Sequence, residues 1–161
     1  MARRISQGLA GRLQALRAMN LESLMTPNPA CCTPDTKIED VARLMVEHDC
    51  GEIPVVEASG AGALVGVVTD RDIVVRLIAA GRDVRQATAE ACMTQPALSL
   101  RPDAQVADAM EMMQSHQIRR LPIVDERGVV CGIVSQADLA RHASAEQTGD
   151  LVRDVSEPQR A

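Results

Sequence analysis

The sequence predicts an α/β fold in which one β-α-β-β-α unit is used twice and follows an N-terminal helix. The first observation is a repeated stretch, because the pattern of Leu64–Ile73 returns at Val130–Leu139. Each copy contains a glycine, two β-branched residues, a Thr or Ser, and an Asp three positions later. The second observation is that the residues upstream also match, at an offset of 68 positions that becomes 66 within a loop. We expect the two copies to pack through their sheets as a pseudo-two-fold pair, because each sheet must bury its apolar face.

The composition indicates a globular protein with an aliphatic core and argues against nucleic-acid binding. The chain has 161 residues, of which 46% are hydrophobic, so one domain or two small repeats can form a core. The sequence lacks Phe, Tyr and Trp, and the core must therefore be built from aliphatic residues and the eight Met. A formal charge of -5 and the lack of aromatic rings on which bases could stack argue against a nucleic-acid partner.

The sequence shows no sign of a membrane or export segment. No apolar run is long enough to span a bilayer, and no apolar h-region follows Arg3 and Arg4. The five Cys are odd in number and fit a reducing compartment better than a disulfide framework. We therefore expect a cytoplasmic protein with no membrane partner.

Residues 1–20 are predicted to form an amphipathic helix. Apolar residues lie about one helical turn apart in this segment, at Ile5, Leu9, Leu13, Leu16 and Met19. We expect the helix to pack on the rest of the chain or on a second subunit. A membrane-surface helix and a disordered segment remain open alternatives.

The first predicted repeat covers residues 21–81. Its pattern predicts a strand over 30–33, a helix from Thr36 to His48, a strand over 53–56, a strand over 64–68 and a helix from Asp70. The last helix is expected to bury Ile73, Leu77 and Ile78. It is expected to end at Gly81, because glycine readily takes the left-handed conformation that closes a helix.

The second predicted repeat covers residues 93–145 and has the same order of elements. A linker over 82–92 joins the two repeats. Residues 146–161 are expected to form a polar, frayed tail.

Three markers occur in both repeats in the same order. Each repeat opens on Met-Thr with a proline close behind, continues with an aliphatic-Pro-aliphatic strand, and ends on the Gly…Thr/Ser-x-x-Asp stretch. The strands are Ile53-Pro54-Val55-Val56 and Leu121-Pro122-Ile123-Val124. Over residues 24–141 these markers resemble the CBS domain, a regulatory module first named from cystathionine beta-synthase. The stretches Thr69–Ile73 and His116–Pro122 resemble those of stand-alone bacterial proteins with two such domains.

The resemblance implies a paired (Bateman) module with two clefts between the repeats, usually assembled as a homodimer. Clefts in this family bind adenosine compounds such as AMP, ADP or ATP, and sometimes S-adenosylmethionine or NAD. The expected ligand is thus a regulatory adenosine-type small molecule, with no cofactor required. The expected output is a change in packing or oligomer state that an unidentified protein effector senses.

The family motif also assigns roles to matching residues. By resemblance, Asp72 and Asp138 would hold the ribose, and Thr69 and Ser135 would contact phosphate. The chemistry agrees, because a carboxylate can accept both hydroxyls of a ribose and a helix N-terminus favours an anion.

Further candidates follow from charge and from apolar character. Arg71 and Arg120 are candidate phosphate contacts because a guanidinium forms charge-assisted hydrogen bonds. The candidate base slot contains Cys32, Thr33, Ile53 and Pro54 in one repeat, and Ser99, Leu100, Leu121 and Pro122 in the other. The two clefts should differ, because Ala137 replaces Arg71 and Glu52 replaces Arg120.

Two other interpretations stay open. Thr-x-x-Asp and Ser-x-x-Asp are also helix capping boxes, which need no ligand. The protein would then be a ligand-free dimerisation module. Less favoured is a zinc-responsive or redox-responsive protein, since the Cys and His residues show one plausible ligand pair, His48 and Cys50, and no second. No catalytic constellation is recognisable, so we predict no metal site, no catalytic residue and no enzyme activity.

Overall fold

In each half of the chain a helix, two strands and a second helix follow one another in the order that the repeat pattern predicts. The computed structural model describes residues 19–142 and 145–157, so the predicted N-terminal helix lies almost entirely outside the described residues. The first half contains β1 (Thr26–Pro27), α1 (Ile38–Glu47), β2 (Glu52–Val56), β3 (Leu64–Thr69) and α2 (Asp70–Asp72, continuing as a π-helix over Ile73–Ile78). The second half contains α3 (Val106–His116), β4 (Arg120–Val124), β5 (Val130–Ser135), α4 (Gln136–His142) and α5 (Ala145–Ser156). The α/β class is confirmed.

The described residues divide into two compact units. The first-repeat unit contains residues 27–99 and 124–131. The second-repeat unit contains residues 19–26, 100–123, 132–142 and 145–157. Strands β2 and β3 form an antiparallel pair, and a second sheet has the strand order β1-β5-β4. Within the described chain, no helix is long and apolar enough to cross a bilayer.

Each Met-Thr segment packs in the unit of the other repeat, not in the unit of the repeat that it begins. Met93 and Thr94 lie against β3, where the Thr94 and Val67 backbones exchange hydrogen bonds of 2.8 and 3.0 Å. A Cβ atom on Gly66 would lie 2.9 Å from the Thr94 carbonyl oxygen, so only glycine fits. Met25 lies against Gly132 in the same way in the second-repeat unit. The glycine of each repeated stretch therefore leaves room for a Met-Thr segment to pack against its strand.

The first-repeat core is formed by one face of α1 packed on the β2–β3 pair. Ile38 and Val41 are buried on α1, and Ile53, Val55 and Val68 are buried on the strands. The predicted strand over 30–33 is reduced to one parallel bridge, between Cys32 and Val55.

Helix α1 begins later than the sequence predicts. Lys37, not Thr36, is its N-cap residue. The Thr36 hydroxyl instead accepts a 2.9 Å hydrogen bond from the Thr33 amide. The Thr36 side chain thus stabilises the turn before α1 and does not cap the helix. Short polar side chains often form such local hydrogen bonds with the backbone.

Helix α2 follows the prediction with one correction. Ile73 and Leu77 are buried, but Ile78 is 57% exposed. Ile73 and Leu77 lie about one helical turn apart and share one face, whereas Ile78 is the next residue along the chain and points away from that face. Gly81 has a φ of +68°, which confirms the left-handed conformation expected there.

The predicted frayed tail is wrong over α5. Leu151 and Val155, one helical turn apart, are buried, and α5 packs on α3 and α4. The Gln114 side chain donates a 2.9 Å hydrogen bond to the Asp154 carboxylate. Two buried apolar residues and a half-buried polar contact thus dock an otherwise polar segment.

Candidate ligand-binding sites

Each predicted ribose-binding aspartate lies one turn into a helix and closes a capping box. In the first-repeat unit, Thr69 ends β3 and begins α2. The Asp72 Oδ2 atom accepts hydrogen bonds from the Thr69 amide (2.9 Å) and the Thr69 hydroxyl (2.7 Å). The Thr69 hydroxyl oxygen accepts from the Asp72 amide at 3.1 Å. The capping interpretation is therefore correct as a description of this structure.

The second oxygen of Asp72 faces an arginine that the sequence analysis did not single out. The Arg76 Nε atom lies 3.4 Å from Asp72 Oδ1. The Arg76 Nη1 atom donates to the carbonyl oxygens of Cys92 (2.8 Å) and Met93 (2.9 Å). Arg76 thus connects the site to the segment that enters the second repeat. Its position four residues after Asp72 on one helix is the sequence signal that could have identified it.

The second-repeat unit repeats this arrangement. The Asp138 Oδ2 atom accepts from the Ser135 amide (2.9 Å) and the Ser135 hydroxyl (2.6 Å), and the Asp138 amide donates back at 3.2 Å. The Arg141 Nη1 atom lies 3.2 Å from Asp138 Oδ1. The two aspartate side chains are 14% and 18% exposed, so each is partly accessible to solvent.

The first residue of each of these helices forms a matching hydrogen bond with the residue that precedes the neighbouring strand, β2 or β4. The Asp70 amide donates to the Gly51 carbonyl at 3.1 Å, and the Gln136 amide donates to the Arg119 carbonyl at 2.8 Å. Glu52 pairs directly with Thr69 in the antiparallel register. Arg120 is the corresponding residue in the second-repeat unit and is half-buried. Arg71 is exposed on the first turn of α2.

The predicted base-slot residues are brought together through their backbones. The Cys32 amide donates to the Pro54 carbonyl at 3.0 Å, and the Leu100 amide donates to the Pro122 carbonyl at 3.2 Å. Ser99 directly precedes Leu100 in the chain.

The side chains of these residues differ in accessibility. Those of Cys32, Ile53 and Leu121 belong to the core, and Pro54 and Pro122 are buried, so these five side chains offer little surface to a ligand. Thr33, Ser99 and Leu100 remain half-exposed. A base in the first-repeat slot would therefore meet backbone and Thr33, and a base in the second-repeat slot would meet backbone, Ser99 and Leu100.

Burial favours the protonated form of three cysteine thiols, those of Cys31, Cys32 and Cys92. Burial, together with Cys31 and Cys92 nearby, raises the pKa of the Cys32 thiol to about 12. Burial also raises the pKa of the Cys31 and Cys92 thiols. Among the described residues, no three His, Cys, Asp or Glu side chains are grouped to hold a metal ion. A thiolate is the species that binds metal or reacts with oxidants, so these surroundings disfavour both roles.

One open cavity of about 310 Å³ lies in the second-repeat unit. It is lined by Leu100, Asp108, Glu111, Met112, Ser115 and His116. Leu100 is the one predicted site residue in this lining, so the cavity is separate from the Ser135–Asp138 constellation.

The chain matches one family along most of its length. The family model described as CBS domain matches residues 21–79 and 85–145. The chain is 41% identical over 138 residues to the CBS domain-containing protein YhcV of Bacillus subtilis (strain 168), covering 85% of this chain and 95% of YhcV. It is 32% identical over 135 residues to Hypoxic response protein 1 of Mycobacterium tuberculosis, covering 84% and 92%.

Solved structures of three similar proteins contain bound ions or ligands. Hypoxic Response Protein I with two coordinated zinc ions has a TM-score of 0.70 and 32% identity, covering 78% of this chain and 100% of that one. CBSX2 in complex with AMP has a TM-score of 0.65 and 28% identity, covering 76% and 93%. The domain pair of MJ0100 in complex with 5'-methylthioadenosine and S-adenosyl-L-methionine has a TM-score of 0.69 and 25% identity, covering 77% and 94%.

Proposed function

Because the chain belongs to the CBS domain family, we propose that it is a regulatory module that binds an adenosine-type ligand, such as AMP, ADP or ATP, at Asp72, at Asp138 or at both. The observation that carries this proposal is the pair of matching aspartates, each held at a strand-to-helix junction through one carboxylate oxygen, with its side chain partly exposed. The ligands of CBSX2 and of the MJ0100 domain pair support the adenosyl class.

The capping bonds leave room for a ribose. An ionised carboxylate has about four lone-pair positions. At Asp72, Thr69 uses two of them on Oδ2, and Arg76 faces Oδ1 at 3.4 Å. Oδ1 therefore keeps acceptor capacity for the hydroxyls of a ribose. Capping and ligand binding are compatible, and the cap holds the carboxylate in one orientation before the ligand arrives.

The phosphate contacts are better supplied by arginine than by the hydroxyls. The Ser135 and Thr69 hydroxyl protons already point at the aspartates, so neither hydroxyl has a donor left while the cap is closed. Arg120 and Arg71 carry donors that suit a phosphate, and a charge-assisted contact is stronger than a neutral one. We assign the phosphate to these guanidinium groups, with the hydroxyls as positioning groups.

Regulation would use the contacts of Arg76. A ribose on Asp72 Oδ1 competes with the Arg76 guanidinium, which also holds the Cys92 and Met93 carbonyls. Ligand binding would thus change how often Arg76 holds the segment that contains Cys92 and Met93. The ligand would act by shifting the populations of two conformations of this segment. The signal would reach an effector protein or a second subunit. No catalytic step is needed for this function.

The test is a thermal-shift panel with AMP, ADP, ATP and S-adenosylmethionine on the wild-type protein and on Asp72→Ala and Asp138→Ala. A ligand at 100 times its dissociation constant stabilises the protein by about 2.7 kcal/mol, which raises Tm by several degrees for a chain of this size. We expect this increase in the wild type and its reduction in at least one variant.

Asp108→Ala is the matched control. The Asp108 carboxylate accepts a 2.9 Å hydrogen bond from the Gln105 amide at the start of α3, so it is a capping aspartate outside both proposed sites. Losing a cap lowers stability by about 0.5–2 kcal/mol. All three variants should lose that amount, but Asp108→Ala should keep the full ligand-induced shift. If all three variants keep it, or if no ligand raises Tm, a ligand-free dimerisation module becomes the better account.

A homodimer is the second part of the proposal. Helix α2 carries Asp72 on its first turn and exposes Val74, Val75 and Ile78 beyond it. Adjacent exposed aliphatic side chains of this kind are typical of an interaction surface. A second copy that packs on this face would sense the ligand through the same helix.

A further inference from the structure

We propose that residues 1–18 dock as an amphipathic helix in the open cavity beside α3 of the same chain. This α3 cavity has a volume of about 310 Å³ and is lined by Leu100, Asp108, Glu111, Met112, Ser115 and His116. Neither Asp72 nor Asp138 lines it, so the proposal goes beyond the adenosyl-binding function and does not depend on it.

The segment joins the fold at the start of α3. The Leu21 amide donates a 3.0 Å hydrogen bond to the Ala104 carbonyl, and the Val106 amide donates a 3.2 Å hydrogen bond to the Met19 carbonyl. Leu21 is fully buried, which fixes this connection. Residues 1–18 are therefore tethered beside the first residue of α3. A tether gives a segment a high effective concentration at a neighbouring cavity, an advantage that a separate peptide lacks.

The α3 cavity follows two turns of one side of α3. Its five residues on this helix, between Asp108 and His116, are spaced three or four positions apart and so share one side. The buried residues of α3 lie elsewhere on the helix, at Val106, Ala109, Met110 and Met113. At 1.5 Å per residue, the cavity side extends over about 12 Å, and a helix formed by residues 5–18 would be about 21 Å long. The segment is thus long enough to cover the cavity.

The apolar surfaces of the two partners match. Leu100 and Met112 line the α3 cavity and are half-exposed, so they offer apolar surface that a helix could bury. Met112 also has a flexible side chain that adapts to the shape of its partner. The segment supplies the complementary apolar stripe, at Ile5, Leu9, Leu13 and Leu16.

The charges of the two partners are opposite. The lining contains two exposed carboxylates, those of Asp108 and Glu111, and one imidazole, but no Lys or Arg. Within the part of the chain that the structure describes, neither carboxylate forms an ion pair. Residues 1–18 contain four Arg and no Asp or Glu. Arg12 lies seven residues after Ile5, on the side of the apolar stripe, and would meet the carboxylates when the stripe faces the cavity.

A metal ion is a poorer occupant of the α3 cavity. Among residues 19–142 and 145–157, no three His, Cys, Asp or Glu side chains are grouped to hold a metal ion. A basic amphipathic helix uses both the carboxylates and the apolar residues of the lining, which an ion would not.

Fluorescence quenching of the full chain tests the proposal. The sequence has no Trp, Tyr or Phe, so Leu13→Trp introduces a single fluorophore into the stripe. Acrylamide should quench it at least about threefold less than in a free peptide of residues 1–18 with the same change, because the docked form predominates. Adding Met112→Glu should remove this protection, because a charge would face the stripe. Adding Glu111→Lys should reduce it, because lysine repels Arg12.

Val46→Glu is the matched control. It adds the same charge to an aliphatic residue that is 82% exposed on α1, outside the α3 cavity, and should leave the protection unchanged. Trypsin provides a second measurement that needs no tryptophan. Cleavage after Arg12 should be slower in the wild type and in Val46→Glu than in Met112→Glu, since a docked helix shields its backbone.

The outcomes identify the occupant of the cavity. Protection that is unchanged on dilution and is lost in Met112→Glu would confirm the proposal. Protection that is lost on dilution would assign the cavity to the segment of a second copy and overturn docking within one chain. Protection that arises only with anionic lipid vesicles would make residues 1–18 a membrane-surface helix and overturn the proposal, as would equal trypsin cleavage in the wild type and Met112→Glu.

Discussion

At the scale of single residues, the chain uses one short motif for two purposes. A threonine or serine caps a helix, and an aspartate three residues later returns the hydrogen bond with one oxygen. The other oxygen lies near an arginine. The same side chain therefore contributes to local stability and, in our proposal, to ligand recognition, which is why a stability measurement alone cannot assign its role.

The buried thiol of Cys32 predicts how the stability of the protein depends on pH. Burial, with Cys31 and Cys92 nearby, raises the pKa of the Cys32 thiol from 9.0 to about 12. The protonated thiol thus contributes stability that is fully present below pH 9 and is lost as the pH rises from 9 to 12. We expect the free energy of urea unfolding to fall between pH 8 and pH 10.5, and to fall less in Cys32→Ala.

Cys50→Ala, which changes a half-buried cysteine, is the control for this measurement. It should keep the wild-type dependence on pH. An equal loss of stability with pH in Cys32→Ala and in the wild type would contradict the assignment. The native protein should also leave Cys32 and Cys92 unmodified by a thiol reagent at neutral pH, since both are buried.

At the scale of elements, the repeated glycines explain why the two Met-Thr segments cross over. Gly66 lies under the Thr94 carbonyl, and this close approach allows the backbone of Thr94 to pair with Val67. The sequence pattern identifies these glycines but not their partners, because the partner lies 28 positions away in the chain.

Gly66→Ala tests this contact. Its Cβ atom would meet the Thr94 oxygen at 2.9 Å and the Met93 sulfur at 3.1 Å, so β3 and the Met93–Thr94 segment must separate. We expect a loss of about 1–3 kcal/mol in the free energy of unfolding. Gly149→Ala is the control, because its Cβ atom would meet nothing within 4 Å on α5 and alanine favours a helix. Equal stability of Gly66→Ala and the wild type would contradict the close approach.

Helix α5 provides the second prediction at this scale. Leu151 is fully buried, whereas its neighbour Val152 is 45% exposed. Leu151→Ala should lower the free energy of unfolding by about 2–5 kcal/mol, and Val152→Ala by less than about 0.5 kcal/mol. Urea unfolding of both variants makes the comparison. Similar small effects of the two changes would mean that the segment is not docked in solution.

The sequence predicted local features better than distant ones. The capping boxes, the strand after Gly51 and the end of α2 at Gly81 depend on residues a few positions apart, and all are present. The docked helix α5 was missed because only Leu151 and Val155 are buried on it, in a segment that is otherwise polar. Its partner Gln114 is 40 positions away from Asp154, and no local pattern reveals such a contact.

The same reasoning applies to the candidate site. The aspartates and hydroxyls were predicted from the repeated motif and its resemblance to the CBS domain, and the structure brings each pair together. The spacing of Arg76 from Asp72 is a local signal, but the contacts of Arg76 with Cys92 and Met93 span 16 and 17 positions and could not be predicted from the sequence pattern. The burial of Ile53 and Leu121 was also not readable from the motif, since an aliphatic residue before proline can face either a core or a cleft.

At the scale of the whole molecule, the exposed face of α2 makes a prediction about assembly. Ile78→Glu places a charge among Val74 and Val75, and should convert a dimer into monomers in analytical ultracentrifugation, because a buried unpaired charge is costly. Val152→Glu, on the exposed side of α5, is the control and should leave the assembly unchanged. A dimer that persists in Ile78→Glu would exclude this face as the contact.

The central claim is that this CBS domain protein holds the ribose of an adenosyl ligand on its paired aspartates. A crystal structure of the full chain grown with AMP tests it most directly. The account predicts ribose hydroxyls about 2.5–3.0 Å from the Asp138 carboxylate, with the Ser135 cap retained and the phosphate beside Arg120. AMP bound elsewhere, or the absence of AMP from crystals grown with a large excess of it, would contradict the claim.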